Sequence, residues 1–130
     1  MKKIYMILGV VLIGLFGLYI LGCGPKIERF GDVPQENVPK TAIGTILLNS
    51  QNYIDKDVII EGVIASECPT GSWINVQDKS AGTIYVEMHG SSFAPIPQRV
   101  GRNVIVKGTA YQSGGTTKEI KLLGKGLIIK

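Results

Sequence analysis

Cysteine, histidine and tryptophan are scarce in this 130-residue chain: two of the first and one each of the others. Each scarcity narrows the chemistry. The one histidine, His89, has no serine or aspartate beside it in a nucleophile motif, and no glycine-rich phosphate loop occurs. Asp55 and Asp57 flank Lys56 and read as a solvated turn rather than an acid/base pair. Cys68, His89 and Met88 lack the spacing of a metal site, so no metal ligand and no cofactor is expected. The expectation is a protein that binds rather than one that catalyses.

Charge is missing altogether from Ile4 to Gly22. The run follows Lys2 and Lys3, and a cationic start before an apolar stretch is the pattern of a secretory signal. Its length is also near the 17–25 or so residues that span a bilayer, so an uncleaved anchor is the alternative. The run ends in "LYILGC", which resembles the lipobox of bacterial lipoproteins, with Ile20 and Gly22 at the aliphatic and small positions and Cys23 at the cysteine. That resemblance implies cleavage after residue 22, acylation of Cys23, and a membrane-anchored protein facing away from the cytoplasm. Without Lys2 and Lys3 the fourteen basic residues become twelve, against ten acidic. A near-neutral mature chain gives no general attraction to polyanions.

Residues 24–40, with Pro25, Pro34 and Pro39 and no sustained apolar period, are expected to be a flexible tether. Fully extended, they would reach on the order of 50–60 Å. From Thr41 the pattern predicts a short helix, with Thr41 as N-cap and Ile43, Ile46 and Leu47 on one face. Five strands then follow, over 56–67, 72–78, 83–88, 102–112 and 119–130, with bulges expected at Gly124 and Gly126. Pro95 and Pro97 exclude an interior strand over 90–101. Five strands that each carry one apolar face must close on themselves or leave hydrophobic sheet in water. The fold class is therefore all-β: a small five-stranded closed barrel over 41–130 with one short N-terminal helix.

The same region resembles an oligonucleotide/oligosaccharide-binding (OB) fold, especially the small anticodon-binding-like OB domains of bacterial exported proteins. The likeness spans residues 53–130 and rests on Lys56, Gly62, Asp78 and the run Val100, Gly101, Val104, Val106 and Gly108. It departs at 89–99, where OB domains often carry a helix. The resemblance implies a binding face bordered by the loops "CPTGS" and "QSGGTT".

Strand alternation names that face. With Ile74, Val76, Ile84 and Val86 inside, Trp73, Asn75, Gln77 and Tyr85 point outward. An outward tryptophan and tyrosine among amides suit the stacking of a base or sugar ring. The competing reading makes Trp73 a cap over the barrel mouth or the helix. Basic residues crowd into 99–130, so Arg102 and Lys107 join the candidate ligand-binding set. The expected ligand is an envelope component or protein partner. Oligonucleotide binding through Trp73 and Tyr85 is one alternative; a redox or metal role for Cys68 is another. Against the latter, Ser72 stands near where related proteins carry a second cysteine, and Glu67 is expected to raise the thiol pKa. A small, buried, unreactive Cys68 is the expectation.

Overall fold

The computed structural model describes residues 26–88 and 98–130. The signal segment, Cys23, His89, Pro95 and Pro97 lie outside the described residues. Among those described, no helix is long and apolar enough to cross a membrane.

Six strands and one short α-helix form along the chain: β1 (Glu28–Gly31), α1 (Ile43–Leu48), β2 (Asp57–Glu67), β3 (Trp73–Gln77), β4 (Thr83–Glu87), β5 (Asn103–Gln112) and β6 (Ile120–Ile129). Strands β5, β2, β3, β4 and β6 are neighbours in that order, and β6 returns to β5, so the five expected strands close a barrel. All these pairings are antiparallel except β4 with β6, where Val86 and Leu123's neighbour Leu122 face each other in parallel register.

Alternation places the interior as the sequence pattern requires. Ile60, Ile64, Ile74, Val76 and Val86 have no solvent exposure, and Ile84 has 1%. Ile43 and Ile46 of α1 join the same cluster, so the helix plugs the barrel with its one apolar face. Each such side chain contributes roughly 1.5–3 kcal/mol by leaving water.

Two irregularities let short strands close. In β2 the register with β3 slips between Ile64 and Ser66, leaving Ala65 as an extra residue. In β6, Lys107 faces Gly126 while Gly108 faces Gly124, so Lys125 is the extra residue between the two glycines expected to bulge. Gly62 lies where β2 passes from β5 to β3. A Cβ there would sit 2.3 Å from the Gln77 carbonyl oxygen, so only glycine lets the strands approach.

The helix cap differs from expectation. The N-cap position is Ala42, whose side chain makes no capping bond. Thr41 sits one residue too early because its N–H is already donated to the Ile59 carbonyl. The β3–β4 turn supplies the cap instead: Ile43 N–H donates to Asp78 Oδ2 at 2.7 Å and Gly44 N–H to Ser80 Oγ at 2.9 Å. Asp78, one of the residues carrying the OB resemblance, thus fastens the plug to the barrel. Burial pushes its carboxyl pKa up, but the hydrogen bonds from Ser80, Ile43 and Gly82 outweigh this and hold it below the ordinary value.

The stretch expected as a tether is largely laid on the barrel. Its β1 pairs with the second half of β6, Glu28 opposite Ile129 and Gly31 opposite Gly126. Asp32 N–H then donates to the Lys125 carbonyl, and Pro34 is buried. The physical reason is charge and an open strand edge. Beyond Leu123, β6 has no β4 neighbour, and Glu28, Asp32 and Glu36 meet Arg99, Lys107 and Lys130 at 2.7, 2.7 and 3.0 Å. Any tether is confined to residues before Lys26, outside those described.

Candidate ligand-binding face

Trp73 and Tyr85 leave the outer side of β3 and β4, as alternation demands, and both are half-buried. Their rings stack with centroids 5.4 Å apart and planes 29° from parallel. Lys121 from β6 sets its ammonium 4.7 Å from the Tyr85 ring centre, a cation–π contact. Trp73 therefore packs on its neighbour across the sheet, not over the barrel mouth.

Polar groups rim this stack. Asn75 Nδ2 donates to Ser66 Oγ at 2.9 Å, which fixes the amide beside Tyr85, its cross-strand partner. Tyr111 of β5 donates its hydroxyl to Glu87 Oε2 at 2.5 Å. Burial, this bond and the Glu87 charge push the Tyr111 phenol well above its usual pKa; burial, then Glu87, raises Tyr85 as well. A groove of about 500 Å³ opens alongside, lined by Leu47, Asn75, Tyr85, Lys118, Glu119 and Lys121. Among the described residues Lys118 and Lys121 form no salt bridge, and with Glu119 in the same lining the groove carries a net single positive charge.

The arrangement holds a ring on its aromatic surface and offers ammonium groups to an acceptor or anion nearby. Tyr85 is already covered by Trp73 and approached by Lys121. An incoming ring must therefore displace Lys121 or stack on the uncovered side of Trp73.

Of the predicted residues, the fold gathers Trp73, Asn75 and Tyr85. Gln77 emerges at the far end of β3 and lines a separate groove of about 810 Å³ with Lys40, Glu61, Lys79 and Lys130. Arg102 and Lys107 are not brought to the face. Arg102 donates to the carbonyls of Lys130 and Lys26, at 2.9 and 2.8 Å, and pairs with Glu28 at 3.6 Å. Lys107 pairs with Asp32. The N-terminal acids reach these cations first, which the linear charge count could not reveal. Lys121 and Tyr111 were missed. Their signal was faint: with Ala110 and Leu122 inside, Tyr111 and Lys121 must share the outer surface, but only the closing register sets them beside Tyr85.

Cys68 corrects two expectations. It is half-buried rather than buried, in a tight turn where its N–H donates to the Trp73 carbonyl and its carbonyl accepts from Gly71. Its Sγ lies 3.0 Å from Thr70 Oγ1, which is 3.3 Å from Ser72 Oγ. Hydrogen bonds from Ser72 and Thr70 lower the thiol pKa to about 7. Glu67 does not oppose this, because its Oε1 turns to accept the N–H groups of Arg99 and Val100 at 2.6 and 3.1 Å. Among the described residues no three His, Cys, Asp or Glu side chains gather as a metal site would require.

No family profile matches the chain, and no curated protein matches it significantly. Among solved structures it is similar to a Leishmania major Friedlin protein described as an aspartyl-tRNA synthetase, with a TM-score of 0.55 and 14% identity. The match covers 80% of this chain and 22% of that one. At such identity the likeness concerns the fold alone, and the fold is an OB-type barrel.

Proposed function

We propose that the protein is a lipid-anchored, extracytoplasmic OB-fold module that binds, without catalysis, an envelope ligand presenting a ring and a negative or acceptor group. The observation that carries this reading is the Trp73–Tyr85–Lys121 stack on the outer face of β3, β4 and β6. OB barrels recognise ligands on this outer surface, where rings stack on aromatic side chains and cations hold the charged parts. The location rests on the apolar run ending at Ile20, Gly22 and Cys23.

The second reading, single-stranded nucleic acid, is favoured by the fold likeness. Glu87 on the same face opposes it, as does the pairing of Arg102 and Lys107 with carboxylates. Titration calorimetry with a carboxylate-bearing peptidoglycan fragment and with oligo(dT) separates the two. The proposal expects binding of the fragment, weakened in Trp73→Ala. Binding of oligo(dT) alone would transfer the site to nucleic acid. The anchor is checked separately: Cys23→Ser should abolish palmitate incorporation and release the protein from membranes, and an unchanged distribution would remove the lipoprotein reading.

A further inference from the structure

The end of the barrel at which the chain enters is built differently from the rest of its surface. Arg102 holds the Lys26 carbonyl, and Glu28 holds both Arg99 and Arg102, so residues 26–28 lie alongside 99–102. Two apolar side chains project there: Ile27 is 45% exposed and Val100 58% exposed. Cations surround them in excess. Glu28 serves Arg99 and Arg102, Glu36 serves Arg29 and Lys130, and Glu67 accepts the Arg99 and Val100 N–H groups. Lys26 has no salt bridge among the described residues, so five cations face three acids. Apolar tips within a surplus of positive charge suit the interface of an anionic bilayer.

The chain's own geometry supplies the occupant. Cys23 stands three residues before Lys26, so chain length alone limits its Cα to about 10–11 Å from that of Lys26. The long reach expected of a free tether is not available while β1 is paired to β6.

We infer that this rim, centred on Ile27, Val100, Arg99 and Arg102, docks on anionic lipid headgroups and sets the barrel upright on the membrane. The inference rests on the anchored reading above and holds equally for an uncleaved apolar anchor. Strand β6 runs ten residues from Ile120 to Ile129, about 30 Å, away from this rim. Lys121 and the β5–β6 turn lie at its far end, so docking turns that end of the barrel away from the lipid.

The test uses the full-length, lipid-modified protein in vesicles of anionic phospholipid, in a Cys68→Ser background. One fluorophore is placed at Val100→Cys and, in a second sample, at Thr116→Cys in the β5–β6 turn. Brominated lipids should extinguish emission at 100 and leave that at 116 unchanged. Vesicle-bound protein with neither label quenched, or with 116 quenched instead, overturns the docking while leaving the anchor intact. Protein that does not stay with the vesicles overturns the anchored reading, and the docking with it.

Discussion

Two lysines on the outer surface of this barrel, Lys107 and Lys121, have opposite fates. Lys107 meets Asp32 at 2.7 Å, one of several ion pairs that lay the N-terminal segment across β5 and β6. Among the described residues Lys121 meets no carboxylate, and it lies over Tyr85. The first region is neutralised and covered: Ile105 and Ile128 point away from the barrel interior, yet each is only 1% exposed. Segment contacts at Ile59, Glu61 and Lys107 bracket Ile105, which identifies the cover. The second region keeps its aromatic surface and its charge. A basic residue therefore marks a binding face only if the fold leaves it without an acid of its own.

The largest expected effect comes from prising the covered region apart. A Cβ at Gly126 would lie 1.9 Å from the Asp32 carbonyl oxygen, so Gly126→Val cannot keep β1 and its following turn in place. A loss of roughly 1–3 kcal/mol is expected in denaturant unfolding, with fast hydrogen exchange at 28–31 and unchanged Trp73 emission. Unchanged exchange would mean that β1 is not held as described.

Next in size is the plug. Asp78→Ala removes the acceptor for the Ile43 N–H and should cost about 1 kcal/mol. Because its folded pKa lies below its unfolded one, the Asp78 contribution is present above the ordinary carboxylate value, near pH 4, and is lost as pH falls through the folded pKa. Asp78→Asn should flatten that acid limb; an identical limb in both proteins contradicts the assignment.

The two lysines give the sharpest contrast and a smaller change. Lys121→Ala should weaken binding of the ring-bearing ligand and shift Trp73 emission, whereas Lys107→Ala should do neither. Equal effects from both would erase the distinction between the faces. Smallest in stability terms is Cys68. Its alkylation rate should reach half its plateau near pH 7 and move upward in Ser72→Ala, whereas a midpoint near 8.5 in the parent protein argues against the hydrogen-bonded turn.

The barrel was legible because its signal is local and redundant. Ile74, Val76, Ile84 and Val86 alternate in two short runs, and burying one buries the others. The bulge in β6 was readable too, from the glycines around Lys125. Illegible were the features that depend on distant segments meeting. Residues 28–31 carry no strand pattern; they pair because β6 offers an edge and complementary charge. The cap from Asp78 and the position of Lys121 likewise need elements far apart in sequence. Within the candidate site, the shared face of Trp73, Asn75 and Tyr85 follows from alternation, while the pairing of Arg102 with Glu28 and Lys107 with Asp32 does not, because charge along a chain says nothing of partners.

Trp73 is the protein's only tryptophan, so intrinsic emission reports on the proposed face alone. Titrating the full-length protein with the peptidoglycan fragment while following that emission tests the account most directly. A saturable change that disappears in Lys121→Ala is the predicted result. Binding detected by calorimetry with no response from Trp73 would place recognition elsewhere on the barrel.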